Sequence, residues 1–319
     1  MAHWDPWIVS VEDGYRAFYL SGQPNQVPWW KTSWIGAAAS PDLKQWTDLG
    51  PVLEPLKDEG WESGRLFAGS CDRKDGRYYL FYSAASAEHY TQEKIGLATS
   101  VDGLTWQRRP TPLLSLASDI SWYGPCNRTG HLHWRDPAVI QDEVSQKYYL
   151  YFCASLALPG AYQGGLGLAV ADDLAGPYQL LPPAIGPIEN ANDWPFYHLE
   201  RPQILSIAGR YHLFFSCFKE FVNPQWLARV GADRVTDSTL YWYIADRLTG
   251  PFEPAAELPT VPGSEKTGLY GTQFFAPQKR VLPPCQQMVY GWYHRTYRLA
   301  ISQEYRALWQ GDQVSIEES

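Results

Sequence analysis

Hydrophobic and polar positions follow one recurring order along the chain. An aromatic-rich apolar run with the character of a buried strand occurs five times, at residues 16–22, 78–84, 148–154, 211–217 and 288–294. After a loop of variable length each is followed by a run of small residues, at 34–40, 94–100, 165–171, 240–246 and 297–302. In four of the five a turn and an outer strand come next, with the clearest turns at 42–46 and 102–106. The rings at the centre of the aromatic runs are Phe18, Phe81, Phe152, Phe214 and Tyr290, so successive rings lie 62 to 76 residues apart. A long period with about four strands per unit predicts propeller blades. The expected fold is therefore all-β, a five-bladed β-propeller of four-stranded antiparallel blades, with residues 1–319 forming one catalytic domain. A two-sheet sandwich would not repeat its unit five times.

Composition agrees with this pattern. The 319 residues include 26 Gly and 25 Pro, too many punctuating residues for a helical protein, while 15% aromatic content excludes a disordered chain. The formal net charge of −8 argues against a nucleic-acid partner, which needs clustered Lys and Arg, but is neutral towards an uncharged ligand. No apolar run reaches membrane-spanning length, so no membrane partner is expected. The N-terminus lacks the basic and apolar regions of a signal peptide, and the five scattered Cys form no CxxC. Both point to a cytoplasmic protein with buried thiols. Oligomeric state is not legible.

In a propeller the innermost strand of each blade lines the central channel. Residues at the starts of inner strands in different blades can face one another across large sequence separations. Three such starts carry an acid: Asp5 in Trp4-Asp5-Pro6, Asp136 in Arg135-Asp136-Pro137, and Glu200 in Glu200-Arg201-Pro202. Alone, each reads as a turn or strand cap ahead of a proline. Placed at equivalent positions they converge, and converging carboxylates repel unless a chemical task retains them. Glycoside hydrolysis supplies that task, with two carboxyl groups flanking the scissile bond and a third steadying positive charge on the sugar. Trp and Tyr offer flat faces to sugar C–H groups.

At these residues the sequence resembles the five-bladed propeller enzymes of glycoside hydrolase families 32 and 68, the invertases, fructan hydrolases, levansucrases and inulosucrases. Trp4-Asp5, Arg135-Asp136-Pro137 and Glu200-Arg201-Pro202-Gln203 carry the resemblance, with 270–278 and 289–292 similar to the last blade. Glu-Arg-Pro leans towards family 68. The resemblance implies Asp5 as nucleophile, Asp136 as transition-state stabiliser and Glu200 as general acid/base. It places Arg135 beside the fructosyl hydroxyls and Trp4 and Tyr270 as walls of the sugar site. The stretch from Phe67 to Ser70 looks like a degenerate Trp-Ser-Gly-Ser motif, with Ser70 contacting the sugar or the nucleophile.

The departures concern the leaving-group side. The Asn-Asp-Pro-Asn-Gly box of family 32 is absent, and no C-terminal β-sandwich is expected. His198 stands where family 68 members often carry an acid that helps bind the leaving glucose. It is either a leaving-group contact or a satisfied channel histidine. Lys219 and Glu220 are expected on a surface loop. Trp29, Trp30 and Trp34 form an acceptor platform or pack on a neighbouring blade. His131 and His133 share one strand face, but two ligands do not make a zinc site, and neither a metal nor another cofactor is expected.

The leading expectation is a retaining β-fructofuranosidase or fructosyltransferase with a carbohydrate substrate. A family 43-like arabinofuranosidase or xylosidase, which shares the propeller and three acids but inverts configuration, is the alternative. A non-catalytic sugar-binding propeller is a third.

Overall fold

The computed structural model describes residues 2–23, 29–56, 60–276, 286–294, 301 and 305–318. Five separate four-stranded antiparallel sheets follow one another, each a simple meander in chain order. Blade one is β1 (Ala2–Val11), β2 (Gly14–Gly22), β3 (Trp34–Ser40) and β4 (Thr47–Leu53). Blade two is β5 (Arg65–Lys74), β6 (Arg77–Ala85), β7 (Lys94–Ser100) and β8 (Gln107–Arg108). Blade three is β9 (Trp134–Gln141), β10 (Tyr148–Ser155), β11 (Gly164–Ala171) and β12 (Gln179–Ile185). Blade four is β13 (Glu200–Ile207), β14 (Arg210–Ser216), β15 (Leu240–Ala245) and β16 (Glu253–Pro254). Blade five is β17 (Tyr270–Phe275), β18 (Gln286–Trp292), β19 (Tyr305–Gln310) and β20 (Gln313–Glu318). The first strands β1, β5, β9, β13 and β17 touch in a closed ring around the channel. This is the expected five-bladed propeller.

The alternation of aromatic and small-residue strands has a packing cause. Tyr19 pairs with Gly36, Tyr82 with Gly96 and Phe152 with Gly167 on adjacent strands. A methyl group on these glycines would lie 2.6, 2.6 and 2.2 Å from the facing ring, so the ring of the second strand lies flat over the bare backbone of the third. Blade four solves the same problem by stacking Phe214 on Trp242, with centroids 6.1 Å apart. Phe18, Phe81, Phe152 and Phe214 are all completely buried between blades. Each ring contributes about 1.5–3 kcal/mol by burial.

Blade five differs from expectation. Its third strand is β19, which pairs with β18 through Met288↔Arg306, and β20 completes the sheet, so this blade too has an outer strand. The small-residue run 297–302 lies almost wholly outside the described residues. Both runs are short and apolar; pairing with β18, a tertiary property, singles out 305–310. Cys126, Cys153 and Cys217 are buried free thiols, Cys71 is partly buried, and Cys285 lies outside the described residues.

Candidate active site

Every inner strand carries one extra residue near its start, a β-bulge that interrupts pairing with the second strand. The irregularities fall at Trp4/Trp7 in β1, Phe67/Gly69 in β5, opposite Tyr151/Cys153 in β9, at Glu200/Gln203 in β13 and at Tyr270/Gln273 in β17. Bulges re-aim side chains and are frequent beside active sites. Here they sort the channel residues into two rings. The residue before each bulge is Trp4, Phe67, Arg135, Glu200 or Tyr270. The bulge residue itself is Asp5, Ala68, Asp136, Arg201 or Gly271. Four of these five have positive φ, at 49° for Asp5, 54° for Asp136, 56° for Arg201 and 61° for Gly271. Left-handed backbone at non-glycine residues costs of order 1–3 kcal/mol each and gathers at functional sites.

This corrects one expectation. Asp5 and Asp136 are equivalent, but Glu200 stands one position earlier and Arg201 occupies the place of the third acid. The prolines mark the true alignment, since Asp5-Pro6, Asp136-Pro137 and Arg201-Pro202 superpose as bulges. Aligning acids instead of prolines hides Arg201.

The first ring is knitted by Glu200. Arg135 Nη1 donates to Glu200 Oε1 at 3.1 Å, and the Tyr270 hydroxyl donates to Glu200 Oε2 at 2.5 Å. Phe67 lies under the Arg135 guanidinium, 5.2 Å from its ring centroid. Tyr270 is buried and stacks face to face on Phe218 at 3.7 Å, so its hydroxyl is what it presents to the acids. Trp4 is buried in the core shared by blades one and two. The side chains of Glu200 and Arg135 keep 18% and 12% of their surface exposed, so this ring opens to solvent at Glu200.

In the second ring, Asp136 accepts the backbone N–H of Arg201 at 2.8 Å, and Asp5 Oδ1 is buried without a hydrogen-bond partner among the described residues. Ser70 is not in the ring of Phe67 and Arg135. It lines the channel beyond the bulges, with Asp72, Asp136, Arg201, Gln203 and Tyr290, and its hydroxyl has no partner among the described residues.

The protonation preferences follow from this arrangement. Burial pushes Asp5 well above the usual carboxylate range; Arg201 opposes the shift, while Asp136 and Glu200 add to it. Burial likewise pushes Asp136 up to about 6, Arg201 and Arg135 opposing and Glu200 adding. Glu200 moves the other way. Burial pushes it up, but His198, Arg135 and the Tyr270 hydroxyl outweigh burial and bring it down. His198 is itself held down to about 4 by burial and is uncharged near neutrality, so Arg135 and Tyr270 are the partners that keep Glu200 ionised there.

Glu93, the last residue before β7, escapes sequence reasoning because Glu-Lys before a strand reads as surface. It is fully buried. Arg135 grips it with Nε to Oε2 at 2.9 Å and Nη2 to Oε1 at 2.5 Å, and Arg65 Nη2 donates to Oε1 at 3.0 Å. The Trp134 backbone N–H donates to Oε2 at 3.0 Å. Burial pushes Glu93 up, but Arg135, His131 and Arg65 hold it well below the usual range. Arg135 is thereby aimed at Glu200 from a fixed base.

His131 and His133 stack at 4.5 Å, and with Glu93 they form a three-residue group whose donor atoms lie within 4.8 Å of one another. A cation does not fit this group. Both Glu93 oxygens already accept from guanidinium groups, and His133 Nδ1 lies 2.8 Å from Arg135 Nη2.

His198 is buried 3.9 Å from Glu200, against Phe221 at 4.3 Å and His133 at 5.4 Å, with neither ring nitrogen hydrogen-bonded among the described residues. Trp30 packs on the core of blades one and two, with the Arg65 guanidinium 5.1 Å from its ring. Trp34 is half-buried, and the Trp29 side chain lies outside the described residues. Lys219 donates to the Ala232 carbonyl at 2.6 Å, and Glu220 is exposed.

The family model described as glycosyl hydrolases family 43 matches residues 1–108. A levansucrase of Rahnella aquatilis is 27% identical over 207 residues, covering 57% of this chain and 47% of that protein. A levansucrase of Erwinia amylovora is 28% identical over 203 residues, covering 56% and 45%. The chain thus spans about half the length of the curated relatives it matches. In fold it is similar to the inulosucrase from Halalkalicoccus jeotgali bound to kestose, with a TM-score of 0.71 and 21% identity over 99% of this chain and 86% of that one.

Proposed function

We propose that this protein processes β-fructofuranosides, hydrolysing or transferring the fructosyl unit with retention of configuration. The observation that carries the reading is the proximity of two carboxyl groups in unlike surroundings: Asp5, whose buried Oδ1 has no hydrogen-bond partner among the described residues, and Glu200, held between Arg135 and Tyr270. Similarity to two levansucrases supports fructose as the transferred sugar.

In the first step an Asp5 carboxylate oxygen bonds to the anomeric carbon, the bond to the leaving oxygen breaks, and the Glu200 proton goes to that oxygen. In the second step Glu200 takes a proton from water or an acceptor hydroxyl, whose oxygen bonds to the anomeric carbon and releases Asp5. Asp136 and Arg135 hold the ring. The sugar-free site favours a proton on Asp5 and disfavours one on Glu200, so substrate binding must reverse both preferences before the first step. Sugar hydroxyls that engage Arg135 loosen its ion pair with Glu200 and exclude water, and both changes raise the affinity of Glu200 for a proton.

The test is incubation with sucrose, raffinose, inulin and levan, analysing products for free fructose and longer oligomers. No release or transfer of fructose from any of them overturns the reading. The match of residues 1–108 to the family 43 model favours a second reading, an inverting arabinofuranosidase or xylosidase. The anomer first formed, followed by NMR, separates the two.

His198 lies on the leaving-group side in this reading, where its ring nitrogens, without hydrogen-bond partners among the described residues, are offered to hydroxyls of the second sugar. His198→Ala is expected to raise KM for sucrose about three- to tenfold. The same variant leaves KM for an aryl β-fructofuranoside, which lacks that sugar, within about twofold, since no such bond of about 1 kcal/mol is then lost. Steady-state kinetics on both substrates checks this.

A further inference from the structure

We propose that Arg201 is a positioning residue, an internal hub that ties the inner strands of all five blades together behind the acids and balances the charge of Asp5 and Asp136. The catalytic part of this inference rests on the proposed function; the electrostatic part does not.

Arg201 is 3% exposed. Its Nη2 donates to the Pro6 carbonyl of blade one at 3.0 Å, and its Nη1 to the Gly69 carbonyl of blade two at 3.2 Å. Its backbone N–H donates to Asp136 of blade three at 2.8 Å, and its own carbonyl accepts from Gln273 Nε2 of blade five at 3.0 Å. Belonging itself to blade four, Arg201 joins every blade. Its guanidinium also lies 5.5 Å from the Trp7 ring centroid.

The fifth bulge residue makes room for it. A methyl group at Gly271 would lie 3.0 Å from Arg201 Cγ and 3.5 Å from Asp5 Oδ1, on backbone with φ of +61°. A glycine here thus answers both a steric and a conformational demand.

The guanidinium spends its hydrogen bonds on carbonyls, so it acts on the carboxylates through space. In a buried site such a charge is weakly screened. The ionisable groups around it are Asp5 from β1, Asp72 from β5, Asp136 and Arg135 from β9, Cys153 from β10, Glu200 from its own strand, Tyr270 from β17 and Tyr290 from β18. Arg201 and Arg135 are the cations among them. Arg135 is committed to Glu93 and Glu200, which leaves Arg201 as the principal counter-charge for Asp5 and Asp136.

The experiment follows carboxyl titration by NMR in sugar-free protein labelled with ¹³C-aspartate, with signals assigned through Asp5→Asn and Asp136→Asn. Arg201→Met is expected to move the midpoints of Asp5 and Asp136 up by about one pH unit or more. Arg201→Lys, which keeps the charge, restores most of the difference. Unmoved midpoints in folded Arg201→Met protein overturn the proposal, because a merely structural residue would lower the melting temperature alone. If Arg201→Met does not fold, Gly271→Ala decides: displacing the guanidinium raises the Asp5 midpoint, and an unchanged midpoint overturns the proposal. Because no sugar is needed, the result stands apart from any failure to turn over β-fructosides.

Discussion

Asp5→Asn is expected, under the proposed function, to lower turnover of sucrose or a fructan by about 10⁴-fold or more while the protein keeps its fold, the scale seen when a nucleophile that acts as part of a unit is removed. The amide is nearly isosteric with the carboxyl group but cannot form the fructosyl–enzyme bond. The fold survives because the buried Asp5 Oδ1 has no hydrogen-bond partner among the described residues to lose, and substitution relieves the repulsion of Asp5 with Asp136 and Glu200. Glu200→Gln gives a comparable loss on substrates with a poor leaving group. It gives a smaller loss on an aryl fructoside, whose leaving oxygen needs little protonation in the first step. Single-turnover kinetics on both substrate types, with circular dichroism to establish folding, measures the two effects. Near-wild-type rates for Asp5→Asn would end its assignment as nucleophile.

The largest effect on stability belongs to Glu93. Its carboxylate is completely buried and answers the guanidinium groups of Arg65 and Arg135, with Arg65 also completely buried. Glu93→Gln leaves the fully buried Arg65 without its anion and strips Arg135 of one of its two, and it destabilises the fold by about 3–5 kcal/mol, the usual cost of breaking a buried pair from one side. Activity falls as well, because Arg135 loses the base from which it reaches Glu200. Urea denaturation at pH 7 reads the stability loss; a change below about 1 kcal/mol would show that the pair is worth no more than an exposed one.

The same carboxylate predicts a pH dependence. Its folded-state pKa lies well below the ordinary value of 4.5, so its stabilisation is complete above that value and is lost as pH falls from there towards the folded pKa. In Glu93→Gln this part of the acid loss is absent. Asp5 and Asp136, whose folded pKa values are raised, contribute with the opposite sign: they weaken the fold as pH rises through the carboxylate range, and Asp136 does so up to about 6.

Much of the architecture was legible because it repeats. Aromatic runs beside small-residue runs reappear in register as β2 against β3, β6 against β7 and β10 against β11, since a ring needs bare backbone opposite it. A local pattern of that kind survives translation into structure unchanged. The fifth blade was less legible, because its third strand competes with a second apolar run of similar length and only pairing with β18 decides between them.

The residues beneath the acids depended on distance in space. Glu93 stands 42 positions from Arg135, and nothing local distinguishes it from an exposed charge. Arg201 touches partners 195, 132, 72 and 65 positions away, and its role exists only once five strands close into a ring. By itself the sequence determined the repeat and the burial of its rings, both of which follow from short-range periodicity and side-chain chemistry. Tertiary structure alone decided which charges face one another, because the energy of a buried charge depends on neighbours that the chain brings together from every blade.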